Sequence, residues 1–158
     1  MTAADLPRVS ELNARVFGPG RFTRTAYRVR EGAPSISRYC RVAVEGDSMI
    51  AAVRFTEVAI GTTEGALLLG PLAVAPEYAD KGHRRQLIGE ALEQARADGL
   101  RLVVLVGDEP YYVRFGFHPV APGQIVLPGP VDPQRLLAAE LEPGALAAFR
   151  GPIIAKRA

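Results

Sequence analysis

The sequence predicts a mixed α/β fold in which an antiparallel meander is followed by a βαβ unit. Three strand-like segments separated by hairpin signals occupy residues 37–74, and residues 83–106 then run from an amphipathic helix into an apolar strand. A strand, a helix and a second strand in succession form a right-handed crossover whose two strands lie parallel. The chain has 158 residues, which suits one domain, and we assign residues 1–158 to it.

Composition excludes several classes of protein. Hydrophobic residues make up 48% and charged residues 23%, which is typical of a folded domain and excludes a disordered one. There is no apolar run long enough for a membrane span and no signal peptide, so we expect no membrane partner. The single Cys40 excludes an internal disulfide and favours a cytoplasmic location. A net charge of +2 gives no reason to expect nucleic-acid binding, and two separated histidines predict no metal site.

The first thirty residues predict two short helices. The first has an apolar face at helical spacing, formed by Leu6, Val9, Leu12 and Val16. Its pattern ends at Gly18-Pro19-Gly20. The second segment, RFTRTAYRVRE, has a weaker pattern and four arginines, Arg21, Arg24, Arg28 and Arg30. Such a cluster attracts anions or forms a solvated face, and we interpret it as a solvated face.

Three strands follow, with turn signals between them. SRYCRVAVE alternates and stops at Glu45-Gly46-Asp47, SMIAAVRFTEVAI is the second strand, and GALLLGPLAV is the third. The third is almost wholly apolar, which is typical of a strand buried on both faces. Pro71 lies within it and has no N–H to donate to a neighbouring strand. We therefore expect the third strand to be bent, bulged or splayed at Pro71.

The βαβ unit is completed by a helix, HRRQLIGEALEQARADG, and a buried strand, RLVVLVG. Asp108 is placed to cap a short helix, EPYYVRF, which Gly116 ends. Residues 118–158 hold seven of the thirteen prolines and predict an irregular C-terminal continuation. Short strands near 124–127 and 136–141 and a helical turn near 143–149 are expected within it.

An anion site is predicted where the long helix begins. The loop before the helix and the first helical turn carry four basic side chains and one glycine, namely Lys81, Gly82, His83, Arg84 and Arg85. Free backbone N–H groups and the positive end of the helix dipole meet these side chains there, and such a place binds phosphate. The alternative is a solvated charged loop that only starts a helix.

The stretch LGPLAVAPEYADKGHRRQLIGEAL followed by LVVLVGDEPYYVRFGFHP resembles the GNAT superfamily of N-acetyltransferases, and it is most similar to small bacterial members. Tyr112 to Phe117 match the Tyr-x-x-x-Gly-Phe pattern of that superfamily. The resemblance implies acetyl-CoA as co-substrate, bound between two splayed parallel strands. Its pantetheine arm would lie along Leu72, Ala73 and Val74, with its pyrophosphate on the start of the long helix.

The resemblance also implies a mechanism in which a neutral amine attacks the thioester directly. Tyr112 would be the general acid that protonates the departing thiolate, and the alternative is a core tyrosine with a hydrogen-bonded hydroxyl. Glu57 is a candidate for the base that takes the proton of the amine, and water is the alternative. The acceptor would be a small-molecule amine that is contacted by residues 17–36 and by the proline-rich tail.

Two departures from the family pattern matter. The phosphate loop keeps only the middle glycine, Gly82, and Arg84 stands where the family has a small residue. Arg84 either blocks the pyrophosphate or replaces amide contacts with an ion pair. The alternative function is therefore a degenerate GNAT domain that binds CoA weakly or not at all and acts as a binding or regulatory module. The sequence also starts almost directly with the first helix, where the family has a strand before it. Either the start codon is wrongly assigned or the sheet has lost its edge strand, and an exposed edge would then allow a homodimer.

Overall fold

The chain, described by a computed structural model over residues 1–20 and 24–157, begins with two helices. Helix α1 spans Leu6–Phe17 and helix α2 spans Thr25–Arg30, which confirms both predicted helices. Arg21 of the predicted arginine cluster lies outside the described residues. In the described ranges no helix is long and apolar enough to cross a membrane. No group of three or more His, Cys, Asp and Glu side chains in these ranges is placed to hold a metal ion.

The described strands form one mixed sheet. They are β1 (Arg41–Glu45), β2 (Ser48–Ile60), β3 (Thr63–Val74), β4 (Leu102–Val106), β5 (His118–Pro119), β6 (Ile125–Val126), β7 (Leu136–Glu140) and β8 (Gly151–Ala155). The order across the sheet is β5-β7-β4-β3-β2-β8-β6, and β1 pairs with β2. The meander β1-β2-β3 is antiparallel and β4 is parallel to β3, as the sequence predicts.

Helices cover the two faces of this sheet. Helix α3 (His83–Ala97) buries its stripe of five residues against one face, and the stripe is Leu87, Ile88, Ala91, Leu92 and Ala95. The other face carries a second core against α2 and the C-terminal strands, and a small third core against α1. Both faces of β3 and β4 are covered, which explains why the sequences of these strands are continuous apolar runs.

The two parallel strands separate at one end, as Pro71 predicts. Strand β4 pairs with β3 only at three positions, Ala66–Leu102 to Leu68–Val104, while β3 continues to Val74. Beyond that point β3 pairs with β2 alone, and the β2–β3 register shifts between Val53 and Phe55. The backbone edge of β3 that faces β4 is therefore open over its last residues.

Some local expectations were wrong. Strand β8 was not predicted, although it pairs with β2 and contributes Ile153 and Ala155 to the core, because its run is short and begins Gly-Pro. Asp108 occupies the N-cap position of helix α4 (Glu109–Tyr112), but its carboxylate does not cap that helix. It forms an ion pair with Arg135 at 3.0 Å instead.

Candidate active site

A cleft of about 1020 Å³ opens where β3 and β4 diverge. One wall comes from the α3 face of the sheet and includes Arg84, Tyr111 and Tyr112. The opposite wall comes from α1 and α2 and includes Asn13 and Arg30. Since residues from both faces line it, the cleft joins the two sides of the sheet through the gap between the parallel strands.

Tyr112 is the last residue of α4, the short helix that follows β4. Its ring packs edge-on against Tyr111, with centroids 5.0 Å apart, and against Phe117 at 5.9 Å. It also lies against the backbone of Gly107, where an added Cβ would be 2.7 Å from Cε2 of Tyr112. The absence of a side chain at Gly107 therefore allows the tyrosine ring to lie across the end of β4.

The hydroxyl of Tyr112 makes no hydrogen bond to another described residue. This geometry differs from the alternative of a core tyrosine whose hydroxyl has a partner. Burial raises the pKa of Tyr112 above its ordinary value of 10.0, while Arg84 acts in the opposite direction and Tyr111 and Asp108 add to the rise. The phenol is therefore protonated at neutral pH, as a proton donor has to be.

The start of α3 has the backbone form that an anion site requires. Gly82 is the N-cap residue with φ +86°, and no side chain caps the helix. The first amide that is bonded within the helix is that of Gln86, which donates to the Gly82 carbonyl at 3.0 Å. The preceding amides of the first turn thus remain available to an anionic ligand.

Arg84 turns from this helix start toward the cleft. Its guanidinium lies over the ring of Tyr111, with Cζ 5.0 Å from the ring centroid, and Arg114 lies over the same ring at 4.5 Å. All four of Lys81, Gly82, Arg84 and Arg85 are exposed, but only Arg84 among them lines the cleft. His83 is half-buried against Tyr78, with ring centroids 6.1 Å apart.

The three predicted strand residues are in different surroundings. Leu72 lines the cleft, while the side chain of Ala73 is fully buried under α1 and Val74 packs against the core beneath α3. All three pair with β2, at Val53, Ala52 and Ala51 respectively. Their other backbone edge faces the gap between the parallel strands. The open edge of β3 fits the extended pantetheine arm of CoA, and the uncapped start of α3 fits its pyrophosphate.

Glu57 does not lie in this cleft. Its side chain is exposed on β2, and it lines a separate hollow of about 200 Å³ with Lys156 and Arg157. The strand position of Glu57 pairs with Leu67, before the parallel strands diverge. The geometry therefore gives no support to Glu57 as a base for chemistry at Tyr112.

Arg30 corrects the interpretation of the arginine cluster as a solvated face. Its side chain is buried, with 8% of the residue exposed, and it lines the cleft together with Arg24. Arg54 on β2 lines the same cleft and was not singled out from the sequence. A charged residue inside the otherwise apolar run MIAAVRF is the signal that marks it. The helical spacing of RFTRTAYRVRE gives no such indication that Arg30 is buried.

The two segments expected to contact the acceptor meet at the cleft. Residues 17–36 contribute Phe17, Thr25 and Ser35, and the proline-rich tail contributes Pro130 and Asp132. A hydrogen bond of 2.6 Å from the Thr25 hydroxyl to the Pro130 carbonyl joins the two segments. This wall lies on the α1 and α2 side, opposite the start of α3.

A sheet that opens between two parallel strands, with a free helix start on one side and a cleft wall from α1 and α2 on the other, is the arrangement of an acyltransferase of the GNAT fold. The chain belongs to the GNAT acetyltransferase family: the family model described as an acetyltransferase (GNAT) domain matches residues 1–120. The protein is accordingly an acetyltransferase, and acetyl-CoA is its co-substrate.

Curated relatives and solved structures agree with this assignment. The uncharacterized N-acetyltransferase YjhQ of Escherichia coli is 32% identical over 127 residues, covering 75% of this chain and 67% of YjhQ. The crystal structure of E. coli YhbS in complex with CoA has a TM-score of 0.81 at 25% identity and covers 99% of this chain and 87% of YhbS. A GNAT acetyltransferase from Brucella melitensis in complex with acetyl-CoA has a TM-score of 0.64 at 31% identity, with 87% of this chain and 91% of that chain covered.

Proposed function

We propose that the protein, folded as one domain over residues 1–158, transfers the acetyl group of acetyl-CoA to the amine of a small molecule. The observation that carries this proposal is the cleft itself, which is lined by Arg84 from the free start of α3 on one side and by residues of α1, α2 and the proline-rich tail on the other. Two reactants that enter from opposite faces meet at the gap between β3 and β4, where their reacting atoms are held close together.

The transfer forms one N–C bond and breaks one C–S bond. An acetyl thioester supplies an activated carbonyl, so a neutral amine attacks it without a covalent enzyme intermediate. One proton leaves the nitrogen for solvent and one has to reach the departing sulfur. The products are the N-acetylated amine and the free thiol of CoA.

Tyr112 is the residue that we assign to protonation of the sulfur. Its phenol lies at the divergence of the strands, has no hydrogen-bond partner among the described residues and keeps its proton at neutral pH. The ordinary pKa values of a phenol, about 10, and of a thiol, about 8.5, are close enough for the phenol to donate its proton to the sulfur as the C–S bond breaks. The phenolate then recovers a proton from solvent, which restores the acid.

The binding roles follow from the open backbone groups. We assign the unpaired edge of Leu72, Ala73 and Val74 to the pantetheine arm, because an extended amide chain pairs with a free strand edge as another strand does. We assign the first-turn amides of α3, from Gly82 to Arg85, to the pyrophosphate, with Lys81 adding positive charge. Arg84 lines the same cleft, with its Cζ 5.0 Å from the ring centroid of Tyr111.

The alternative of a degenerate domain receives no support from the comparisons, since both crystal structures above contain CoA or acetyl-CoA. The decisive experiment is a calorimetric titration of the protein with acetyl-CoA. We expect saturable binding, followed by release of free thiol when a panel of small amines is added. No heat and no thermal shift at millimolar acetyl-CoA would overturn the proposal. A homodimer through the free edge of β1 and a cytoplasmic location stay predictions.

A further inference from the structure

A buried arginine lies at the point where the parallel strands diverge. Arg30, the last residue of α2, reaches over β3 to Gly70, and an added Cβ on Gly70 would lie 2.6 Å from Nη2 of Arg30. Gly70 has φ +130° and directly precedes Pro71. The glycine therefore leaves the space that the guanidinium occupies, and it places that charge against the open part of β3.

Arg54 approaches the same place from β2. The β2–β3 register shifts between Val53, which pairs with Leu72, and Phe55, which pairs with Leu69. Arg54 stands in that irregularity, on the α1 and α2 face of the sheet, and lines the cleft. Its Nη2 donates to the Pro34 carbonyl at 3.1 Å, while its Nε is buried without a hydrogen-bond partner.

Neither guanidinium has a counter-charge in the part of the chain that the structure describes. Within residues 1–20 and 24–157, no Asp or Glu lies within 4.0 Å of Arg30 or Arg54. The Nε of Arg30 is also buried without a partner. Two carboxylates line the cleft, but Asp108 is paired with Arg135 at 3.0 Å, and Asp132 accepts a hydrogen bond from the Gln134 amide at 2.9 Å.

Burial of these two arginine side chains disfavours their charged form. Burial first, and then the neighbouring charges of Arg54 and Arg24, lower the pKa of Arg30 to about 9, with Tyr27 opposing them. Burial also lowers the pKa of Arg54. At neutral pH the Arg30 guanidinium still carries its charge, so a buried and uncompensated cation lines the cleft. Arginine presents several N–H groups in a planar fork, which matches an oxyanion.

We propose that Arg30 and Arg54 bind an anionic group of the acceptor, so that the substrate is a small amine that also carries a carboxylate or a phosphoryl group. This inference rests on the proposed acetyl transfer. The site is separate from the pyrophosphate site, because it lies on the α1 and α2 face and the start of α3 lies on the other. Binding of the anion supplies the missing counter-charge and holds the amine end of the same molecule toward the gap beside Tyr112.

The test compares amines that differ only in the anionic group. Glycine, β-alanine and γ-aminobutyrate are each compared with the corresponding carboxamide, and 2-aminoethylphosphonate is compared with ethanolamine. Thiol release from acetyl-CoA gives kcat/KM for each. For the wild type we expect at least one anionic amine to exceed its neutral partner by about 10- to 100-fold, the range of a charged hydrogen bond. The carboxylate and phosphonate arms distinguish the two kinds of oxyanion.

Three variants assign the preference to the two arginines. Arg30→Met and Arg54→Met remove the charge and keep an unbranched stem, and each should reduce the preference to less than about threefold. Arg96→Met removes an exposed arginine from the last turn of α3 and should retain the wild-type preference. Arg30→Met should keep or raise the melting temperature, since it removes a buried and uncompensated charge. If that variant does not fold, the half-buried Arg54 still provides the comparison.

The proposal is overturned if neutral and anionic amines react equally well with the wild type, or if both variants keep the preference. Failure of the proposed function is a separate result, because it appears as the absence of acetyl-CoA binding. In that event the anion site is tested by thermal shift with the same amino acids and the phosphonate alone. A rise in the melting temperature of the wild type that Arg30→Met and Arg54→Met abolish supports the site, and no rise in the wild type refutes it.

Discussion

The phenol of Tyr112 provides the sharpest test of the chemistry. Tyr112→Phe removes one oxygen and leaves the ring, so the contacts with Gly107, Tyr111 and Phe117 remain. The hydroxyl makes no hydrogen bond within the described residues and is not among their buried atoms without a partner, so its loss leaves no buried group unsatisfied. We expect the free energy of unfolding to change by less than about 0.5 kcal/mol.

The catalytic effect should be much larger. If the phenol protonates the departing sulfur, its removal should lower kcat by about 10²- to 10⁴-fold, which is the usual contribution of general acid catalysis. The Kd for acetyl-CoA should stay within about twofold of the wild-type value, because the lost interaction is formed in the transition state. The raised pKa of Tyr112 also predicts that no activity is lost through its ionisation below pH 10.

The assay is thiol release with the best amine of the panel, combined with calorimetric titration of acetyl-CoA and urea unfolding. Tyr39→Phe is the matched control, since it removes the same atom from a buried ring that does not line the cleft. A Tyr112→Phe variant that keeps kcat within about twofold would refute the acid assignment. A loss of stability of more than about 1–2 kcal/mol would show instead that the hydroxyl has a structural partner.

Three further changes have expected outcomes. Gly107→Ala places a Cβ 2.7 Å from Cε2 of Tyr112, so the displaced ring should lower kcat by about tenfold or more, measured by thiol release. Arg84→Ala should weaken acetyl-CoA binding by about 10- to 100-fold and reduce its salt dependence, measured by calorimetry at two ionic strengths. Tyr39→Phe removes a hydrogen bond of 2.8 Å to Asp98 and should cost about 1 kcal/mol in urea unfolding. Burial and that bond raise the pKa of Tyr39 to about 12 from an ordinary 10.0, so its contribution is complete below pH 10 and is lost as the pH rises through 12.

Each of these expectations has an outcome that contradicts it. A Gly107→Ala variant with wild-type kcat would mean that the Tyr112 ring is not needed where it lies. Tighter binding of acetyl-CoA by Arg84→Gly would show that Arg84 obstructs the pyrophosphate. Arg96→Ala serves as the charge control for that titration, because Arg96 is exposed at the opposite end of α3. Equal losses of stability by wild type and Tyr39→Phe between pH 10 and 12 would exclude Tyr39 as the titrating group.

Much of the fold could be predicted because its helices and strands depend on patterns that lie within a few neighbouring residues of the sequence. Helix α3 and strand β2 follow from apolar spacings that repeat within a few residues. Pro71 indicated the divergence of the parallel strands, since a residue without an N–H weakens the pairing wherever it stands in the chain. Strand β8 was missed because its five residues begin with glycine and proline and acquire their place only by pairing with β2.

The candidate site could be predicted less completely. The Tyr-x-x-x-Gly-Phe pattern led to Tyr112, and the basic loop led to the start of α3, because both are contiguous motifs. The sequence did not distinguish Arg84, which lines the cleft, from Arg85, which is exposed beside it. It also left open whether the Tyr112 hydroxyl has a partner, since potential partners come from other elements.

The sequence by itself therefore determined the order of elements, the divergence at Pro71 and the family to which the chain belongs. Only the tertiary structure decided that Arg30 is buried, because its surroundings come from Gly70 on β3 and Arg54 on β2, far from it along the chain. Helical periodicity defines which side chains share a face, but not what covers that face or whether a charge there finds a partner. Whether a side chain is buried and whether its charge is paired depend on residues that are distant in sequence, and only the folded chain brings those residues together.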